Sequence, residues 1–248
     1  LRVYELDDLI TRLTVKNPNR ENMPKDVYKM LRKGVALCDR FIVSTARLAE
    51  GYKGLHADIR VMPNTLRKSE WGSFKPLRRQ GKKARVGWAG GLSHVGDLEL
   101  IADVVAELAD KVEWVFLGLC PDTLKQYVKE HHPGVETPLY PAKLASLNLD
   151  LAIAPLEINE FNECKSHLKL LEYGILGYPV VCTDILPYQG DYPVKRVPNR
   201  HKAWVDAILE RANDLDAAAR EGDALREYVL DHWMIENHLE GWKKAWLP

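Results

Sequence analysis

A chain of 248 residues allows one large or two modest domains. With 46% hydrophobic and 28% charged residues its composition is that of an ordinary globular protein, and 35 Lys plus Arg against 35 Asp plus Glu leave no net charge. This balance excludes a broad electrostatic attraction to nucleic acid, and no apolar stretch approaches the ~20 residues that span a bilayer. In chain order, residues 1–6 read as a strand with Asp7 and Asp8 straight after it. No signal peptide is expected to open the chain, which reads as starting inside a domain. Residues 24–38 carry apolar Val27, Met30, Leu31, Val35 and Leu37 behind Pro24, which predicts a helix. A short strand follows at 40–43, a helix at 45–52 and a strand at 59–62, stopped by Pro63 and Asn64.

The stretch from Arg67 to Arg85 has eight basic residues, among them Arg78, Arg79 and Lys82, against the single acid Glu70. It reads as a basic linker over 67–84, either a solvated connection or a surface that meets an anionic lipid headgroup. Beyond it, strand and helix alternate: strand 85–89, the turn Gly90–Gly91, helix 97–108, strand 113–117, helix 121–131, strand 135–137, helix 141–147, strand 149–154, a polar loop 157–163, helix 165–176 and strand 179–182. Helices at 202–212, 215–231 and 235–246 complete the chain. The alternation predicts an α/β fold with a mainly parallel sheet. Cys38, Cys120, Cys164 and Cys182 show neither C-x-x-C nor zinc spacing and are expected to be free thiols in a reducing compartment.

Two segments carry candidate chemistry. If a helix begins at Lys165, then Lys165, Lys169 and Glu172 stand at i, i+4 and i+7 on one face. Two lysines near a helix N-terminus disfavour each other and the helix dipole, unless an anion sits between them. Such a face suits a diphosphate, and Glu172 suits a pair of vicinal hydroxyls, because a carboxylate offers two acceptors and no donor. The alternative is a solvated face with a Lys169–Glu172 ion pair. The second segment is the strand, glycine turn and helix from Arg85 to Asp97, an arrangement that presents backbone N–H groups to phosphate. Within it His94 can meet a phosphate or a sugar hydroxyl or simply be solvated, and Asp97 can be a plain helix cap or a ligand contact. Asp7–Asp8, without partners in the sequence, reads as turn chemistry.

The residues 149–188, LDLAIAPLEINEFNECKSHLKLLEYGILGYPVVCTDILPY, resemble the donor-binding domain of GT-B nucleotide-sugar glycosyltransferases of the surface-polysaccharide and O-antigen kind. The pattern K-S-x-L-K-x-L-E-Y-x-x-x-G-x-P-V-V from Lys165 to Val181 and the preceding D-x-x-I-A-P-L are the most specific parts. RVGWAGGLSHVGDL is similar to the first strand and glycine loop of the same domain. The N-terminal piece, with VYELDDL, DRFIVSTARLA and IRVMPN, resembles the last third of the first domain. The resemblance implies a partial N-terminal, acceptor-side α/β domain over 1–66 and a Rossmann-like donor domain over 85–232. It also implies a C-terminal helix over 233–248 that packs back toward the N-terminal part.

The resemblance further implies roles. Glu172 would bind the donor ribose, and Lys165, Ser166, His167 and Lys169 would approach the diphosphate and sugar. Gly90 and Gly91 would lie against the phosphates, His94 nearby, and Tyr140 where the base is held. Lys165 and Lys169 would stabilise the leaving diphosphate without a metal or other cofactor. Relatives often carry a second glutamate eight positions before the ribose-binding one. Here that place is Cys164, and Glu163 is the nearest substitute. Arg and Lys of the relatives' glycine loop are replaced by Gly91 and Gly96. The expected function is sugar transfer from a nucleotide diphosphate sugar to a saccharide or lipid-linked acceptor in cell-surface polysaccharide synthesis. It is expected in the cytoplasm, with peripheral contact at the inner membrane face through the basic linker. The alternatives are a non-catalytic sugar-nucleotide-binding module and a sugar-nucleotide epimerase of the same architecture.

Overall fold

The computed structural model describes residues 1–77 and 83–247. Its larger sheet has six parallel strands: β4 (Arg85–Gly90), β5 (Glu113–Gly118), β6 (Val128–His132), β7 (Leu151–Ala154), β8 (Val180–Thr183) and β9 (Lys195–Val197), in the order β6-β5-β4-β7-β8-β9. Helices cover both faces, so the inner strands are apolar on both sides and read as continuous hydrophobic runs. The two faces still separate with a period of two. Val86, Trp88, Trp114, Phe116, Leu151 and Ile153 pack with Ile101, Val105, Trp204 and Ile208, whereas Ala89, Val115, Leu117, Ala152 and Ala154 pack with Leu170, Leu171, Leu225 and Val229. Each such large side chain, once fully buried, contributes about 1.5–3 kcal/mol.

This strand order reverses direction between β4 and β7. In an open parallel sheet the crevice outside the strand ends at that reversal is where ligands bind. The ends of β4 and β5 come very close there. Gly118 has φ +90°, and a Cβ on it would meet the Gly90 carbonyl oxygen at 2.2 Å, so only glycine fits. Helix Leu168–Ile175 is anchored behind the crevice by helix Leu215–His232. A Cβ on Gly174 would stand 2.7 Å from Leu225, so this glycine sets how near the two helices approach.

The smaller sheet has three parallel strands, β1 (Val3–Leu6), β2 (Arg40–Val43) and β3 (Ile59–Val61). Its lobe docks on the loop that follows β7: Leu9, Leu48 and Tyr52 pack with Phe161 and Cys164. Thr45 Oγ1 donates to the Cys164 carbonyl at 2.9 Å. Helix Leu239–Trp246 lies on this lobe, where Arg40 donates to the carbonyls of Ala245 and Leu247 and Ala245 packs with Ile42 and Met62. The chain crosses between the lobes as a close pair, with Leu66 N–H bonded to the Trp233 carbonyl and Ile235 N–H to the Leu66 carbonyl.

Several expectations change. The stretch predicted as helix 121–131 is only helical at Asp122–Lys125 and then forms β6; the predicted strand 135–137 is absent, with a 3-10 turn at Thr137–Leu139. β6 is an edge strand with alternately exposed side chains, so its Lys129, Glu130 and His131 mimic a polar helix. β9, another edge strand, is only three residues long and two of them are the half-exposed Lys195 and Arg196, so it shows no apolar pattern. The helix predicted from Asp97 is two pieces, Val95–Glu99 and Ala102–Leu108. The start of the linker is not a solvated connection: Trp71, on helix Lys68–Trp71, is buried and meets the Tyr140 ring edge-on. Arg78, Arg79 and Lys82, which the membrane expectation invoked, lie outside the described residues. All four cysteines are free, and no helix among the described residues is long and apolar enough to cross a membrane.

Candidate functional site

At the reversal of the strand order two cavities adjoin. The larger, about 510 Å³, is mostly apolar and is lined by Gly90 and Gly91 after β4, Leu117 to Leu119 at the end of β5, Gly134 and Val135, and Tyr140. The smaller, about 190 Å³, is lined by His94, Lys165, Ser166 and Tyr188, and by Asp7, Asp8 and Asn64 from the smaller lobe. Lys169 and Glu172 line both. They stand on helix Leu168–Ile175, whose apolar Leu170, Leu171 and Ile175 hold it to the sheet.

The electrostatics follow from partial burial. Lys169 Nζ donates to the Ala89 carbonyl at 2.5 Å and sits 5.5 Å from the Trp88 ring and 5.8 Å from the Tyr173 ring. Burial lowers its pKa, and Glu172 offsets part of that shift. Burial raises the pKa of Glu172, with Lys169 and the Tyr140 hydroxyl, which donates at 3.1 Å, pulling the other way. Lys169 and Glu172 thus have no direct ion pair with each other; each is held by a neutral partner, and both remain open to a ligand. Tyr173 OH accepts the Ala89 N–H at 2.8 Å and fixes the end of β4.

Lys165 does not stand on the helix as the sequence suggested. The helix begins at Leu168, and residues 165–167 form the loop before it. From that loop Lys165 lies 4.5 Å from the centre of the Phe161 ring and 3.7 Å from Asp8 Oδ1 across the lobe boundary. Ser166 Oγ accepts from Asn64 Nδ2 at 2.9 Å. His94 donates or accepts through Nδ1 at 2.7 Å from Asp97 Oδ2. Burial lowers the pKa of His94, Asp97 raises it, and Lys169 and Lys165 lower it further, leaving a neutral imidazole at neutral pH.

Two residues singled out in the sequence do not reach either cavity. Glu163 pairs with Arg47 of the smaller lobe at 3.5 Å, because the loop Glu157–Glu163 folds under that lobe rather than toward the strand ends. His167 is packed 4.1 Å from Trp233, ring centre to ring centre, and burial pushes its pKa down to about 4. Asp97 is neither a helix cap nor a ligand contact: it is 3% exposed and binds three partners from inside the protein. Conversely, Asp7 and Asp8 are cleft residues. Their backbone is pinned by Ser44 Oγ on the Asp7 carbonyl and by Tyr52 OH on the Asp8 carbonyl. The only sequence signal for them was an acidic pair at the end of a strand. Among the described residues no group of three or more His, Cys, Asp or Glu is placed to hold a metal ion.

The architecture around this cleft has close counterparts among solved structures. The chain has the fold of a GT-B-type glycosyltransferase. Against S. aureus TarM, solved as a mutant in complex with fondaparinux, alpha-GlcNAc-glycerol and UDP, the TM-score is 0.67 at 18% identity, over 99% of this chain and 50% of TarM. Against sucrose-phosphate synthase of Thermosynechococcus elongatus it is 0.68 at 13% identity, over 98% of this chain and 66% of the synthase. Against Anabaena HepE, in complex with UDP and glucose, it is 0.67 at 14% identity, over 99% of this chain and 71% of HepE. The chain thus spans about half the length of TarM, and at these identities the likeness is one of fold. No protein-family model and no curated protein sequence matches the chain.

Proposed function

We propose that this chain forms the donor site of a glycosyltransferase that moves a sugar from a nucleotide diphosphate sugar to a saccharide or lipid-linked acceptor, in the synthesis of cell-surface polysaccharide. The observation that carries this reading is the joined cleft. An apolar cavity of about 510 Å³ has the size and lining for a nucleoside, and Lys169 and Glu172 line both it and the adjoining polar cavity, which suits a diphosphate and sugar. Glu172 takes the ribose hydroxyls as a two-oxygen acceptor. Lys169 and Lys165 face the diphosphate and stabilise it as it leaves, with the backbone after Gly90 alongside. This charge arrangement needs no metal ion in the proposal. UDP, which the structures of TarM and HepE contain, is the first nucleotide to try.

The test is a thermal-shift panel with UDP, GDP, dTDP, CDP and their common sugar conjugates. A ligand at 100 times its dissociation constant adds about 2.7 kcal/mol to stability. The expected result is a raised melting temperature with one base, lost in Glu172→Ala. A folded sample that responds to none of the nucleotides overturns the donor reading. Product analysis with the binding nucleotide sugar then separates the reactions: a transferase needs an acceptor, whereas an epimerase converts the donor alone.

A further inference from the structure

Asp97 and His94 were separate loose ends in the sequence, three residues apart after the glycine turn. In the fold they form one device. Asp97 Oδ1 accepts the Glu157 backbone N–H at 2.7 Å and the Asn162 side-chain amide at 3.0 Å. Asp97 Oδ2 lies 2.7 Å from His94 Nδ1. An aspartate carboxylate accepts and has no proton to give, and both contacts at Oδ1 come from N–H donors. The proton in the third bond therefore belongs to the imidazole, at Nδ1. In a neutral imidazole the other nitrogen is then a bare acceptor. His94 Nε2 has no hydrogen-bond partner among the described residues, and His94 lines the polar cavity beside Lys165 and Lys169. The ring has little freedom to turn: its edge meets the Trp88 ring at 6.0 Å between centres, and its side chain is 13% exposed.

An acceptor nitrogen does not bind a phosphate oxygen, which is itself an acceptor. It binds a hydroxyl. We infer that Asp97 is a positioning residue that holds His94 in the Nδ1–H tautomer, so that Nε2 accepts a hydrogen bond from a hydroxyl of the transferred sugar. This rests on the donor-site reading and refines it: the lysines of the polar cavity handle the diphosphate, and His94 reads the sugar. Asp97 also ties the same device to the loop that follows β7, because Glu157 and Asn162 belong to it. The groups that face the imidazole are Asp97 on its own turn and Lys165 and Lys169 from the segment opposite, with Asp7, Asp8 and Glu172 in the same cavity.

The first measurement is the 15N spectrum of the imidazoles in the unliganded full chain near pH 7.5, with the His94 signal assigned by its loss in His94→Ala. The expected pattern is a protonated Nδ1 and an unprotonated Nε2; the opposite tautomer, or a charged ring, overturns the inference whether or not any nucleotide binds. In Asp97→Asn the tautomer should shift toward a mixture, a change that a purely structural aspartate does not produce. The second measurement compares UDP with UDP-glucose and UDP-GlcNAc by calorimetry. His94→Ala should weaken the better sugar conjugate about tenfold more than it weakens UDP. An equal loss for UDP and its conjugate means that His94 meets the diphosphate, and the sugar assignment falls. Absence of binding by UDP, GDP, dTDP and CDP alike in the wild type overturns the donor reading and the sugar role with it, whereas a wrong tautomer with nucleotide binding intact overturns only the role of Asp97 and His94.

Discussion

The apolar and polar ends of the cleft differ in where their residues come from. Every residue around the larger cavity, from Gly90 to Glu172, belongs to the six-stranded domain. The smaller cavity takes Asp7, Asp8 and Asn64 from the three-stranded lobe and His94, Lys165 and Ser166 from the domain. At the apolar end the polar groups are held within one domain, as Tyr140 holds Glu172 and the Ala89 carbonyl holds Lys169. At the polar end the contacts cross between lobes, as in Asn64 with Ser166 and Asp8 with Lys165. A nucleoside should therefore meet a preformed surface, while the diphosphate and sugar meet one that depends on how the lobes are docked. The comparison can be broken at either end.

The largest effect is expected from Glu172→Ala. Loss of charge-assisted bonds to two hydroxyls removes about 2–3 kcal/mol, a roughly 30- to 150-fold weaker nucleotide. Uridine alone should suffer nearly the same factor as UDP, since the loss sits at the nucleoside end; calorimetry with both ligands measures this. A loss seen with UDP but not with uridine would move Glu172 to the phosphate end and dissolve the distinction.

Next in size is a pH dependence. The raised pKa of Glu172 means that its carboxylate is lost as pH falls through a value above the ordinary carboxyl range. The lowered pKa of Lys169 means that its charge is lost as pH rises through a value below the ordinary lysine range. Nucleotide affinity should thus fall on both sides of a plateau, by up to about tenfold per pH unit beyond each limb. In Lys169→Met the alkaline limb should disappear while the acid limb stays. A single limb in the wild type would show that only one of these two groups must be charged for binding. Stability follows a separate pair: Arg85, at the far end of β4, holds Glu130 down at about 2. A depressed carboxyl stabilises the fold above its unfolded value and loses that contribution as pH falls toward 2. Glu130→Gln should therefore flatten the acid side of the melting-temperature profile and leave the binding profile alone.

How much of this was legible in the sequence depended on the reach of each contact. β4, β7 and β8 are buried on both faces, so runs such as Leu151–Ala154 announce themselves. The segment from Lys165 to Glu172 is legible as a unit because its residues are neighbours in the chain. β6 was lost because an edge strand exposes every other residue and its polar residues imitate a helix. Asp97 was misread because two of its partners, Glu157 and Asn162, lie 60 and 65 positions away. The first helical residue was placed at Lys165 because its spacing fits a helix, while nothing local tells that the turn at 165–167 is held open by Asn64 and Asp8 from the other lobe.

The smallest effect is also the one with the least obvious sign. Asp8 lies 3.7 Å from Lys165, and its side chain is 47% exposed. A pair this open contributes less than about 1 kcal/mol, yet it occupies a lysine that the diphosphate of the proposed donor would use. The two anions compete for one cation. Asp8→Asn should therefore tighten UDP by up to about fivefold and leave uridine where it was. The backbone carbonyl that receives Tyr52 OH is kept in this variant, so the turn after β1 should hold. Lys165→Met should do the reverse to UDP, and the double variant should look like Lys165→Met alone, because Asp8 acts on the diphosphate only through that lysine. If Asp8→Asn weakens UDP instead, the carboxylate helps to hold Lys165 in place across the lobe boundary, and the polar end is as preformed as the apolar one.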